Sequence, residues 1–113
     1  AKIVGLAAAK GKKLEELSVT DELTKLFNVR HYNNAIKLEH ERAERHGSKY
    51  SIILFDVDNF KNYNDKNGHI AGDKLLKELA EVIKASVRNI DIPARYGGEE
   101  FIVVLPNTPS RGA

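Results

Sequence analysis

Arg95-Tyr96-Gly97-Gly98-Glu99-Glu100-Phe101-Ile102-Val103-Val104-Leu105-Pro106 sets a glycine pair and two adjacent carboxylates directly in front of an apolar run that a proline stops. The apolar part, Phe101 to Leu105, is β-branched and aromatic and short enough to be a strand. A briefer strand, Ala94 to Tyr96, precedes it after Pro93. Gly97 to Glu100 therefore reads as a hairpin tip, where glycine is expected to supply the positive φ that such turns demand.

Working outward, Tyr50-Ser51-Ile52-Ile53-Leu54-Phe55 is a second unbroken apolar run, expected as a strand buried on both faces, and it ends in Asp56-Val57-Asp58. Asn59 to Asn67 reads as a short polar helix or turn closed by Gly68. Asp73 to Arg88 is the best amphipathic helix, with Leu75, Leu76, Leu79, Val82, Ile83 and Val87 on one stripe. Upstream, Thr20 or Asp21 can cap a helix carrying Val29, Tyr32, Ile36 and Ala43, with Arg42, Arg45 and His46 in its last turn and Gly47 ending it. Residues 1–19, with Ile3, Leu6, Leu14 and Leu17 interrupted by Gly5 and Gly11, read as a connecting helix or linker. The order helix, strand, helix, helix, hairpin makes residues 20–113 one α/β (α+β) domain with a single sheet.

Composition narrows the function classes. The 113 residues are enough for one modest core. With 18 Lys and Arg against 16 Asp and Glu, the net charge of +2 gives no long-range field for nucleic acid or a membrane surface, so no nucleic-acid partner is expected. Cys is absent, which rules out disulfides and thiolate metal sites and suits the cytoplasm. The apolar run from Ile3 to Ala9 is far below the roughly 20 residues of a membrane span. A sequence without Met is expected to be part of a longer protein, whose membrane anchoring stays open.

If the two strands are neighbours, Asp56, Glu99 and Glu100 converge at one end of the sheet. Like charges at close range in low dielectric repel, so such a cluster calls for a cation. Oxygen-only donors favour magnesium or manganese over zinc, and two such ions about 4 Å apart would suit phosphoryl transfer. The plainer reading is a solvated turn, because turn chemistry alone enriches Gly and Asp. What tilts the balance is the text between the carboxylates: Lys61 beside Asp56 for phosphate, and Asn64 with Asp73 as a mixed donor and acceptor edge suited to a purine. Singly each is weak: Asn64 is more often a helix C-cap, and Asp73 more often a first-turn residue that complements the helix dipole.

At these residues the sequence resembles the GGDEF family of bacterial diguanylate cyclases, from about Asp21 onward. The signature loop stands as Gly97-Gly98-Glu99-Glu100-Phe101, with Glu third. The opening motif, usually Asp-x-Leu-Thr-x-Leu-x-Asn-Arg-Arg, reads Asp21-Glu22-Leu23-Thr24-Lys25-Leu26-Phe27-Asn28-Val29-Arg30, with Val29 in place of the first arginine. The resemblance implies a palm-like nucleotide-cyclase fold with a mostly antiparallel sheet flanked by helices, and condensation of two GTP into cyclic di-GMP plus pyrophosphate. It implies that Asp56, Glu99, Glu100 and the Val57 carbonyl hold two magnesium or manganese ions, and that Glu99 helps deprotonate the attacking ribose 3′-hydroxyl. Asn59 and Phe60 would offer backbone N–H groups and Lys61 its ammonium to phosphates; Asn64 and Asp73 would read guanine; Gly97 and Gly98 would let the backbone lie against the triphosphate. Asp58 stays structural.

Arg88-Asn89-Ile90-Asp91 has five residues between it and Gly97, the spacing of the family's inhibitory product site. Arg suits guanine O6 and N7, and Asp the base's N1–H and amino group; on its own Arg88 reads rather as a basic residue closing a helix, and it is the register of the resemblance that implies the product site. The resemblance further implies a homodimer that brings two GTP together, and an upstream sensory domain. The family pattern continues with a helix and a strand that supply a lysine and an arginine to the phosphates, so a chain ending at Ala113 is expected to turn over weakly or not at all. Competing readings are a cyclic di-GMP receptor without catalysis, a dimerisation module without nucleotide affinity, and another two-metal palm enzyme.

Overall fold

The computed structural model describes residues 18–109, so the connecting helix expected over residues 1–19 lies almost wholly outside the described residues. The elements run α1 (Val29–His46), β1 (Ser51–Asp56), α2 (Phe60–Asn67), α3 (His69–Ser86), β2 (Ile92–Arg95) and β3 (Glu100–Leu105). The fold is α+β, with an antiparallel three-stranded sheet ordered β1-β3-β2. Because both neighbours run antiparallel to β3, the connection β1-α2-α3-β2 steps over the central position, and β3 inserts between two mutually parallel strands.

β3 alternates its side chains between two cores, as a central strand must. Phe101 and Val103 join Leu26, Leu76, Ala80 and Ile83 on the α3 side. Ile102 and Val104 join Tyr32 and Ala94 on the α1 side. All four β3 residues are at most 5% exposed. The doubly buried strand is thus β3, whereas β1 is not: Ile53 and Phe55 face the α3 core, but Ile52 and Leu54 are 43% and 58% exposed. The reason lies in α1, which packs over β2 and leaves the same face of β1 uncovered.

Helix boundaries follow local chemistry. α1 starts seven or eight residues later than a cap at Asp21 or Thr20 would place it, because Asn28 is the N-cap: its side chain accepts from the His31 N–H at 2.9 Å. Asp21 closes a turn instead, its carboxylate accepting from the Thr24 amide at 2.9 Å and hydroxyl at 2.7 Å. This turn docks on the sheet edge through Phe27, whose N–H donates to the Pro93 carbonyl and whose carbonyl accepts from the Arg95 N–H. Gly47 ends α1 at φ 66°, the left-handed cap glycine permits.

α3 begins at His69 rather than Asp73 and ends at Ser86, since Val87 is already extended (φ −105°, ψ 159°). Arg88 and Asp91 therefore sit in the α3–β2 loop. Of the expected stripe, Leu76 and Ile83 are buried, but Val82 is 62% exposed. No helix among the described residues is long and apolar enough to cross a membrane.

Candidate nucleotide site

The sheet register brings the expected carboxylates to one end. Asp56, the last residue of β1, is the direct cross-strand partner of Glu100, the first of β3, and the next link is the Val57 N–H donating to the Glu99 carbonyl at 3.1 Å. Opposed residues on antiparallel strands share a face, so Asp56 and Glu100 project on the same side. Among the described residues, no three His, Cys, Asp or Glu side chains stand closely enough grouped to hold a metal ion as they are. The Glu100 carboxylate folds back over Gly97, where a Cβ would collide with its Oε1.

The hairpin tip differs from expectation. Neither Gly97 nor Gly98 takes a positive φ; among the described residues only Gly47 and Gly68 are glycines that do. The turn is closed otherwise: the Tyr96 and Gly97 N–H groups both donate to the Glu100 carbonyl, at 2.8 and 3.3 Å. Arg95 then grips the tip from outside, with Nε donating to the Gly97 and Gly98 carbonyls at 3.2 Å and a terminal nitrogen reaching Gly98 O at 2.7 Å. A side chain at position 97 would therefore displace the Glu100 carboxylate rather than strain the backbone.

Arg95 also ties the tip to the opening turn, approaching the Asp21 carboxylate at 3.3 Å. Burial pushes the Asp21 carboxyl up, but the Thr24 amide and hydroxyl and the Arg95 charge outweigh it and hold the group below the usual carboxylate range. Sequence reasoning read Asp21 as a helix cap and gave Arg95 no role; the signal was a guanidinium at the end of a short strand, two positions before the glycine pair.

Between the strands, Asn59 stands in the left-handed region (φ 56°, ψ 29°) as N-cap of α2 with no side-chain cap bond. Asn tolerates that conformation better than most residues. The first N–H groups of α2, around Asn59, Phe60 and exposed Lys61, are left without a capping side chain, the arrangement that suits an anion at a helix N-terminus. Asn64 lies on α2 with its Oδ1 buried and without a hydrogen-bond partner, and Asp73 is exposed on the packed neighbour α3. Of the expected triphosphate and base residues, Asn59, Phe60, Lys61, Asn64 and Asp73 are thus carried by the turn after β1 and the α2–α3 pair, and Gly97 and Gly98 by the β2–β3 hairpin tip.

Arg88 and Asp91 are brought together, but onto each other. Arg88 donates to Asp91 Oδ1 through Nε at 3.1 Å and a terminal nitrogen at 2.7 Å, and its backbone N–H donates to Oδ2 at 2.7 Å. The same terminal nitrogen reaches the Pro106 carbonyl and the Thr108 hydroxyl, at 3.0 and 2.9 Å. Asp91 is 5% exposed. Burial raises its pKa, yet the Arg88 side chain and amide lower it further, so it stays below the usual range; the Asp91 bond in turn raises that of Arg88. This loop forms one rim of a cavity of about 650 Å³ between α3 and the sheet, lined also by Phe55, Ile83 and Val103. Asp56, Glu99 and Glu100 do not line it.

A family model described as "Diguanylate cyclase, GGDEF domain" matches residues 18–113. The chain belongs to the GGDEF family. Response regulator PleD of Caulobacter vibrioides is 46% identical over 93 residues, covering 82% of this chain and 20% of that protein. Diguanylate cyclase A of Treponema denticola is 44% identical over 110 residues, 94% of this chain and 29% of that protein. Among solved structures, the GGDEF domain of DgcB from Caulobacter crescentus, in complex with c-di-GMP, superposes with a TM-score of 0.80 at 33% identity, covering 82% of this chain and 53% of that one. The chain therefore spans under a third of these curated GGDEF relatives.

Proposed function

We propose that this GGDEF domain is part of a diguanylate cyclase that condenses two GTP into cyclic di-GMP and pyrophosphate. The observation that carries the reading is the cross-strand pairing of Asp56 with Glu100 beside a hairpin tip that Arg95 pins. A turn kept only for chain reversal has no need of such a clamp. Asp56, Glu99, Glu100 and the Val57 carbonyl would hold two magnesium (or manganese) ions. The fit rests on an all-oxygen donor set at the end of two paired strands, with Asp56 exposed and so able to turn toward a cation. Bound there, the ions would lower the cost of charge on the triphosphate.

The chain's own residues supply the rest. Asn59, Phe60 and Lys61 hold phosphate, Gly97 and Gly98 leave room beside the triphosphate, and Asn64 and Asp73 bind the guanine edge. Glu99 takes the proton of the 3′-hydroxyl as it bonds to the α-phosphorus of a second GTP and pyrophosphate departs. One such site presents one GTP, so catalysis needs a homodimer of sites, set in the parent protein by an upstream sensory region. The test is magnesium-dependent GTP titration and turnover on this chain and on Glu100→Ala. Tight binding that the substitution abolishes supports the reading; GTP binding indifferent to both magnesium and Glu100 overturns it.

Product feedback belongs to the same proposal, at Arg88 and Asp91. The Arg88 side chain is 52% exposed while that of Asp91 is 2% exposed, which favours Arg88 as the arm toward cyclic di-GMP and Asp91 as its orienter. That exposed arginine also keeps a second reading in play, a cyclic di-GMP receptor without catalysis. Product binding without any magnesium-dependent GTP binding would select it.

A further inference from the structure

We infer that Gly72 is a positioning residue for base recognition, acting through Asn64; the inference rests on the proposed assignment of Asn64 and Asp73 to the guanine edge. Gly72 is buried in the first turns of α3, where its N–H donates to Gly68 O at 3.1 Å. α2 ends against the same point, since the Gly68 N–H donates to the Asn64 carbonyl at 2.7 Å. With the backbones so tied, the Asn64 amide occupies the space in which any other residue at 72 would place its Cβ. That atom would coincide with Oδ1, and it would stand 2.7 Å from Cγ and 3.2 Å from Nδ2.

A helix interior is a costly place for glycine, which loses more backbone freedom there than alanine. Gly72 has a φ ordinary for a helix, so conformational need does not explain it. Space does. The seated amide keeps a buried Oδ1 with no partner, an arrangement that costs stability and persists where function uses the group. Asp73 follows Gly72 directly, so the same contact sets the spacing between the amide and the exposed carboxylate. A methyl group at 72 must either rotate Asn64 out of its seat or push α2 from α3.

The experiment compares magnesium-supported binding of GTP and ITP, which lacks the 2-amino group, in the native chain, Asn64→Ala, Gly72→Ala and the double variant, with thermal melts of all four. Gly72→Ala is expected to weaken GTP binding roughly tenfold, the worth of one well-placed hydrogen bond, and to move the GTP/ITP ratio to that of Asn64→Ala. In the double variant the truncated Asn64 makes room for the new methyl. Its ratio should match Asn64→Ala, and its melting temperature should recover relative to Gly72→Ala. An unchanged ratio in Gly72→Ala, additive losses in the double variant, or no thermal recovery would each refute the role of Gly72. If instead the native chain does not prefer GTP, or Asn64→Ala leaves the preference intact, the guanine assignment itself falls and the inference with it.

Discussion

The Arg95 guanidinium and the Asp21 carboxylate, 74 positions apart in sequence, meet at 3.3 Å, and the same guanidinium holds the carbonyls of both hairpin glycines. One planar cation thus ties the opening turn to the tip that carries Glu99. Arg95→Ala should loosen the tip and cut magnesium-dependent GTP affinity about tenfold or more while the helices persist. Arg95→Lys should restore little, because a point ammonium cannot reproduce a fork that spans three acceptors. Titration calorimetry with far-ultraviolet dichroism checks both; full rescue by lysine would show that charge alone matters.

Acid should undo the fold through Asp21 and Asp91. Both carboxyls lie below their ordinary 3.8 in the folded chain. The unfolded chain then binds more protons as pH drops. Their contribution is complete above the unfolded value and is lost as pH falls through the folded values, from about pH 5 downward. Asp91→Asn should therefore lower stability at pH 7 yet flatten its fall on the acid side. Urea midpoints across pH 3 to 7 would reveal the change of slope.

Cyclic di-GMP binding should depend on Arg88 and, less directly, on Thr108. Arg88→Ala is expected to abolish it and to lower the melting temperature, because Asp91 is left buried without its partner. Thr108→Val removes only one acceptor of the Arg88 terminal nitrogen, so a loss of a few-fold is expected. Wild-type affinity in Arg88→Ala would reduce this loop to a structural staple.

Phe101 anchors the α3-side core at 0% exposure and stacks on Phe55 with ring centroids 6.2 Å apart. Phe101→Ala should cost about 3–5 kcal/mol. Against the usual 5–15 kcal/mol of a whole domain, most of the margin would be gone, as a denaturant titration would register.

Much of this was readable in the sequence because period and punctuation agreed: the apolar runs became β1 and β3, and Gly47, Gly68 and the glycine pair marked real boundaries. The errors share a cause. A run of apolar residues does not reveal which strand is central, so double burial was expected of β1 and found in β3. Asp21 resembles a helix cap because an Asx turn and an N-cap use the same carboxylate-to-amide bond. Gly97 offered turn chemistry in sequence, whereas in the structure its φ is not positive and a Cβ there would meet the Glu100 carboxylate, a contact visible only once Glu100 is placed. The meeting of Asp56 and Glu100 at one end of the sheet was legible from the order of the strands. The Arg95–Asp21 brace was not, since no local pattern links positions so far apart.

β3 is at once the best-buried strand of the sheet and the bearer of Glu100 at its first position. Amides in such a strand exchange with solvent only when the whole domain opens, whereas short polar segments such as α2 fray on their own. The acidic end of the candidate site and the domain therefore share one cooperative transition, while the turn after β1, proposed above to hold phosphate, has its own, shallower one. Deuterium uptake in this molecule should be two-tiered, with half of the site protected like a core and half like a loop.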